Sequence, residues 1–262
     1  MTNIGFIGTG NMGGALARAA AKSGKADRLL LANRSPEKAV RLAEELGCEA
    51  LDNRAVAQQA QFLFLGVKPQ LLEGMLDGIR DVLERRTDRF VIVSMVAGKD
   101  LACLQKLLGP VPVIRIMPNI PVSVGGGVTL FSASAEVRED EKAFLKDVLG
   151  VSGLVDELEE RLMDAATGVT GCGPAFAAMF VEALADGAVA CGLPRRKAID
   201  YAAGMLKGTA ELLLQSGEHP GALKDRVCSP AGSTIQGVRR LEESAFRAAV
   251  MNAVIAAFEK EF

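Results

Sequence analysis

The chain has no tryptophan, one tyrosine (Tyr201) and one histidine (His219) in 262 residues. A Ser-His-Asp hydrolase or a multi-histidine metal site has almost nothing to be built from. Five cysteines, Cys48, Cys103, Cys172, Cys191 and Cys228, are an odd number, lie far apart and form no C-x-x-C pair, which argues for reduced thiols. Charge of one sign is missing too: 30 Lys and Arg nearly balance 32 Asp and Glu, so no summed field attracts nucleic acid or an anionic membrane. The start, MTNIGFIG, lacks a basic region followed by an apolar stretch, and nowhere do about 18 uncharged apolar residues run together. These absences lead us to expect a cytosolic protein with a small-molecule partner, no nucleic acid and no membrane.

What is present is enough for a core, with 49% hydrophobic residues. Up to about Val155, short apolar runs (NIGFIG, RLLLA, QFLFLGV, RFVIVSM, VPVIRIM) alternate with helical spacings such as PEKAVRLAEEL and QLLEGMLDGIRDVL. That alternation predicts an α/β fold: a Rossmann-like, doubly wound domain over residues 1–157 with a mostly parallel sheet. Residues 158–262 read as an all-helical domain: AFAAMFVEALADGAVACG, PRRKAIDYAAGMLKGTAELLLQS, STIQGVRRLEE and AFRAAVMNAVIAAFEKEF. Gly192 suits the end of the first of these and Pro194 the first turn of the second. Segments apolar on more than one face need more burial than this length provides alone, which points to dimerisation. Tyr201 is expected in a core and His219 in a turn before Pro220.

Gly8-Thr9-Gly10-Asn11-Met12-Gly13 is a G-x-G-x-x-G between a predicted strand and a predicted helix, where it predicts a dinucleotide pyrophosphate on free N–H groups. The second strand ends at Asn33-Arg34-Ser35 without the acid that would accept from a ribose 2′-hydroxyl. Arg34 can pair with a 2′-phosphate while Asn33 and Ser35 donate hydrogen bonds, favouring NADP(H) and leaving NAD(H) open. The plainer alternative is a polar turn with Ser35 capping the helix that begins at Pro36. Further candidates at strand ends are Val67-Lys68-Pro69, beside the cofactor, and Met95-Val96-Ala97, on the nicotinamide side.

GFIGTGNMGGAL, VKPQ, RIMPNIP, TGCGPAF and LKDRVCSPAGSTIQG, in that order, resemble the pyrroline-5-carboxylate reductase family along essentially the whole chain. The resemblance implies reduction of L-1-pyrroline-5-carboxylate to L-proline, a helical dimerisation domain, and larger rings of dimers in some members. It places cofactor contacts on Gly8 to Met12, Asn33 to Ser35, Asn53, and Val67 with Lys68, and substrate contacts on the SPAGST loop, with Glu160 at an acidic position close to the substrate; a solvated acid at a helix start is the other reading of Glu160. Gly232-Ser233-Thr234 precedes a helical pattern, so its N–H groups can hold a carboxylate while Thr234 meets the ring nitrogen; a simple N-cap is the alternative reading. Two departures stand out. Cys172 replaces a common serine and reads as a small packing residue, and Ala231 replaces a glycine, so its backbone is expected to avoid positive φ. A hydroxyacid dehydrogenase or an imine reductase would typically bring a lysine or an acid from its helices, and TGCGPAF and SPAGST supply none. A non-catalytic NADPH sensor remains the alternative from another class.

Overall fold

The structure, a computed structural model, describes residues 2–259. It packs as two units, one ending at Gly171 and the other beginning at Cys172. The first contains β1 (Ile4–Ile7), α1 (Asn11–Ala20), β2 (Leu29–Ala32), α2 (Pro36–Leu46), β3 (Glu49–Ala50), α3 (Asn53–Gln59), β4 (Phe62–Leu65), α4 (Leu72–Asp77), α5 (Arg80–Glu84) and β5 (Val91–Ser94). It continues with α6 (Leu101–Leu108), β6 (Val113–Pro118), β7 (Gly127–Ala133), α7 (Glu139–Leu149), β8 (Gly153–Glu157) and α8 (Met163–Thr170).

The strands form one sheet in the order β3-β2-β1-β4-β5-β6-β7-β8, and every neighbouring pair is parallel except β6 with β7. Alternation along each strand feeds two cores. Phe6, Leu31, Phe64, Val93, Ile116 and Phe131 join Leu16 of α1, Leu42 of α2 and Leu145 of α7 on one face. Ile7, Leu30, Leu63, Leu65 and Ile92 join Val56 of α3, Leu76 of α4 and Leu104 of α6 on the other. Both faces of the sheet are thus covered, as continuous apolar parallel strands require. The Phe6 and Phe64 rings stack at 4.5 Å, pinning β1 to β4.

Three strands were not visible as apolar runs, the shortest being β3, Glu49–Ala50. β7, GVTLFSA, carries small and polar residues, and β8, GLVDE, is an edge strand with most of its residues at least partly exposed. The segment QLLEGMLDGIRDVL, expected as one helix, is two. Gly78 turns its carbonyl to the Arg54 guanidinium at 2.9 Å instead of continuing the ladder, and Ile79 points fully into the core.

The second unit contains α9 (Gly173–Ala190), α10 (Arg195–Ser216), α11 (Pro220–Val227), α12 (Ser233–Glu243) and α13 (Phe246–Glu259). Residues 260–262, the end of the expected last helix, lie outside the described residues. Gly192 takes φ +95° just past α9, as expected of a helix stop. Pro194 sits one position earlier than expected, at the N-cap of α10, because its ψ of 134° is not yet helical. His219 caps α11, its Nδ1 accepting from the Gly221 N–H at 3.1 Å. Tyr201 corrects the expectation of a core residue: it is exposed, and so are Met205 and Leu212 along the same stripe of α10. Phe180 of α9 meets Phe246 of α13 with centroids 5.8 Å apart.

Candidate active site

The chain reverses direction of growth across the sheet between β1 and β4, and ligands bind such folds outside the carboxyl ends of the strands at that point. Three loops converge there. Gly8 adopts φ +100°, and a Cβ on it would lie 2.5 Å from the Gly66 carbonyl oxygen, so the loops after β1 and β4 touch backbone to backbone. A Cβ on Gly13 would lie 2.0 Å from the Gly8 carbonyl oxygen, which is how closely α1 begins over β1. Met95, after β5, places its sulfur near Gly66. Gly10, by contrast, has nothing within 4 Å of where its Cβ would be, leaving room for a ligand to approach the main chain.

Gly10 caps α1 without a side-chain hydrogen bond, and the first turn carries no acid. The N–H groups of that turn therefore face outward without intrahelical partners, at the positive end of the dipole. The Thr9 hydroxyl is buried without a hydrogen-bond partner among the described residues. An orphaned hydroxyl, an open glycine and free N–H groups fit a dinucleotide pyrophosphate.

The loop after β2 is tied to this one. Asn33 Oδ1 accepts from the Thr9 N–H at 3.2 Å, and its Nδ2 donates to the Ser35 carbonyl at 3.2 Å. Asn33 thus clamps two loops, a use that the expected phosphate contact had not included. Ser35 is the N-cap of α2, but its hydroxyl makes no capping bond. Arg34 is exposed and without an acidic partner among the described residues. The Ser35 hydroxyl and Arg34 guanidinium are thus uncommitted at the end of β2, as a 2′-phosphate site needs. Asn33, Arg34 and Asn53 line a cavity of about 630 Å³ with Val40 and Leu51, whose apolar flanks suit an adenine ring.

Lys68 is exposed at the N-cap of the 3₁₀ turn Pro69–Leu71, and Val67 is half-buried beside it. After β5, Val96 is buried and Ala97 exposed; the Val96 N–H donates to the Ser94 hydroxyl at 3.3 Å. Glu160 is half-buried: its Oε1 accepts from the Leu101 N–H at 2.7 Å and from Arg115 at 3.2 Å. Arg115 and Asn119 were not anticipated as site residues. Arg115 is a buried charge inside an apolar strand, which the sequence VPVIRIM did display. Asn119 accepts from the Val128 N–H at 2.8 Å and donates to the Thr170 carbonyl at 2.9 Å, a bridge no local pattern reveals.

In the second unit, Gly232 is the N-cap of α12 and no side chain caps the helix, so the simple N-cap reading of Ser233 and Thr234 does not hold. Both residues are exposed, and no acid occupies the first turn. The turn before them corrects an expectation: Ala231 takes φ +58°. The Gly232 N–H donates to the Ser229 carbonyl at 3.0 Å, closing a turn with Pro230 second and Ala231 third, the pattern of a type II turn. A side chain at Gly232 would displace the Ser229 hydroxyl, 2.3 Å from where its Cβ would lie. Cys172 is half-buried at the N-cap of α9, with no histidine nearby in sequence. All five cysteines are free, and burial pushes the Cys48 thiol up to about 11, far from a reactive thiolate.

Residues 160–261 match the family described as pyrroline-5-carboxylate reductase dimerisation, and residues 3–98 match NADP oxidoreductase, coenzyme F420-dependent. The pyrroline-5-carboxylate reductase of Escherichia coli (strain K12) is 39% identical over 98% of this chain and 96% of its own length. The chain belongs to the pyrroline-5-carboxylate reductase family. Among solved structures, the pyrroline-5-carboxylate reductase of Coxiella burnetii superposes with a TM-score of 0.92 at 29% identity, covering 99% of this chain and 97% of that one. The Plasmodium falciparum pyrroline carboxylate reductase, solved with NADP bound, gives 0.85 at 30% identity over 99% and 96%. As a pyrroline-5-carboxylate reductase family member, the chain places its GTGNMG, VKPQ and SPAGST stretches on the loops just described. The family's dimerisation segment takes in α8 and all but the last residue of the second unit.

Proposed function

We propose that the chain is an NADPH-dependent pyrroline-5-carboxylate reductase that converts L-1-pyrroline-5-carboxylate to L-proline, the last step of proline biosynthesis. The observation that carries this reading is the uncapped, acid-free start of α12 at Gly232-Ser233-Thr234, in a family member whose ribose loop offers Arg34 in place of an acid. When bound, NADPH supplies the hydride that the imine carbon accepts.

The chain's own residues bind and orient. Gly8, Thr9, Gly10, Asn11 and Met12 hold the pyrophosphate on the first turn of α1. Arg34 and Ser35 hold the 2′-phosphate, and Asn33 fixes their loop; Asn53 borders the adenosine. Val67, Lys68 and Pro69, with Met95, Val96 and Ala97, wall the nicotinamide end. The N–H groups of Ser233 and Thr234 receive the substrate carboxylate at the positive end of α12, with Gly232 keeping the turn tight. The Thr234 hydroxyl accepts from the N–H of the protonated ring, so the imine is oriented as it gains the hydride and becomes a secondary amine. No further proton is required. Orientation of this kind is worth several kcal/mol, up to roughly 7–11, in intramolecular analogies.

The exposed apolar stripes of α9, α10 and α13 are read as the surface that a second copy covers, giving a homodimer; assembly into larger rings would extend the same principle. The stretch Glu160–Ala190 contains an 18-residue window of mean hydropathy 1.3, long and apolar enough to cross a bilayer. Glu182 and Asp186 on α9, the latter paired with Arg195, would then be charges in lipid, whereas a subunit interface leaves them at its rim. No membrane, no nucleic acid and a cytosolic setting complete the reading.

The test is the initial rate of NADPH oxidation at 340 nm with and without pyrroline-5-carboxylate, repeated with NADH. Substrate-dependent oxidation that is faster with NADPH is expected. NADPH binding without oxidation would overturn the reading in favour of a different imine or a sensor.

A further inference from the structure

The segment from Ser94 to Asp100 links β5 to α6 and carries Met95, Val96 and Ala97. One partly buried ion pair, Arg115 with Glu160, borders both ends of it. At the near end, Arg115 of β6 is the sheet partner of Ser94. At the far end, the Leu101 N–H, the first of α6, donates to Glu160 Oε1 at 2.7 Å. The same oxygen accepts from Arg115 at 3.2 Å, and Asp164 of α8 accepts from the other guanidinium nitrogen at 3.4 Å. The Arg115 side chain is 7% exposed, and its Nε is buried without a hydrogen-bond partner among the described residues.

A charge this deeply placed is not a solubility feature, and stability alone would be served as well by an apolar residue of similar volume. A buried pair does, however, fix geometry: it has one satisfied arrangement, and a displaced partner leaves an uncompensated charge. Asp100 already caps α6 by accepting from the Cys103 N–H at 2.7 Å, so Glu160 is a second, long-range clamp on the same helix start. The sequence separation of 59 residues between Leu101 and Glu160 shows that the clamp is tertiary and not a local cap.

We infer that Arg115 and Glu160 are a positioning pair that sets the Met95–Ala97 segment against the nicotinamide end of the cofactor. This rests on the reading of that segment as the nicotinamide wall. It gives Glu160 a role different from direct contact with substrate: its carboxylate acts through the Leu101 N–H and the Arg115 guanidinium. Displacement of the wall by about an ångström would spoil hydride-transfer geometry while leaving the pyrophosphate and 2′-phosphate contacts intact.

The test pairs Glu160→Ala with Glu160→Gln and reads two quantities, amide hydrogen exchange of residues 95–101 without cofactor and steady-state kinetics with NADPH and pyrroline-5-carboxylate. In Glu160→Ala, exchange in that segment is expected to speed up about tenfold or more while β1 stays protected. kcat is expected to fall about 10–100-fold, with KM for the imine within about threefold of wild type. Glu160→Gln keeps an acceptor for both donors and should recover most of the protection and of kcat. A raised KM for the imine with unchanged exchange would overturn the inference by placing Glu160 on the substrate. A glutamine variant as slow as alanine, again with unchanged exchange, would overturn it in favour of proton transfer. If wild type shows no turnover, the proposed reaction fails, and the exchange measurement still decides whether the pair clamps the segment.

Discussion

In the first unit Phe6, Phe64 and Phe131 are fully covered by helices of the same chain, whereas in the second Met251, Ile255 and Phe258, spaced four and three apart along α13, face outward. Tyr201, Met205 and Leu212 do the same on α10, and Leu214 is 83% exposed. The buried apolar residues of the second unit are small or few: Ala185, Ala198, Ala202 and Leu223 among those described. A sheet gives helices a flat apolar surface on both faces, so a single chain suffices. Helices such as α9 and α13, apolar on several faces and with no sheet among them, cannot hide those faces from water at this length. The contrast teaches that one region finds its core within the chain, while the other leaves apolar faces uncovered, the faces that the proposed dimer would bury.

The strongest way to break that comparison is Ile255→Glu, which puts a charge on the outward stripe of α13. If a second copy covers the stripe, the unpaired carboxylate should cost more than about 3 kcal/mol of association, over roughly 100-fold in Kd. Light scattering after size exclusion should show a monomer at micromolar concentration, with NADPH still bound by the first unit. A dimer of unchanged stability would refute the assignment of this face, and a wild-type monomer would refute the shared interface altogether.

Arg34→Ala probes the self-sufficient unit. Loss of a charge-assisted contact to the 2′-phosphate should raise KM for NADPH about 10–100-fold and leave KM for NADH nearly unchanged. Equal loss with both cofactors would show that Arg34 does not read the 2′-phosphate. Thr234→Ala, in the second unit, should lower kcat by roughly 10–30-fold, the worth of one hydrogen bond to a charged group, without abolishing turnover. Undiminished activity would remove Thr234 from the reaction. The smallest effect belongs to Ala231→Gly. A positive φ costs alanine about 1–2 kcal/mol, and the extra chain entropy of glycine returns about 0.5–1, so thermal stability should rise by up to about 1 kcal/mol. A lower melting temperature would show that the Ala231 methyl makes a contact outweighing its backbone strain.

Local pattern predicted several elements to the residue. Pro36–Leu46 and Ser233–Glu243 match their expected segments because each has a clear start signal and an uninterrupted 3.6-residue period. G-x-G-x-x-G likewise announced the tight turn into α1, since the positive φ of Gly8 and the contact of Gly13 with the Gly8 carbonyl belong to one strand-loop-helix unit. The misses share a cause. β7 and β8 become strands through pairing that their composition does not advertise, and Gly78 ends a helix because Arg54, from another helix, takes its carbonyl. Ala231 was expected to avoid positive φ, yet the Ser229–Gly232 hydrogen bond and Pro230 impose it.

The sequence by itself determined the alternating cores of the first unit, the glycine-marked start of α1 and the family to which the chain belongs, because those depend on residue type at fixed spacing. Only the tertiary structure decided that Asn33 joins two loops, that Asn119 reaches Thr170, and that Glu160 closes on Arg115 and Leu101. Those partners lie tens of residues apart in the chain, and the buried charge and amide groups concerned are satisfied only once folding has brought them within hydrogen-bonding distance.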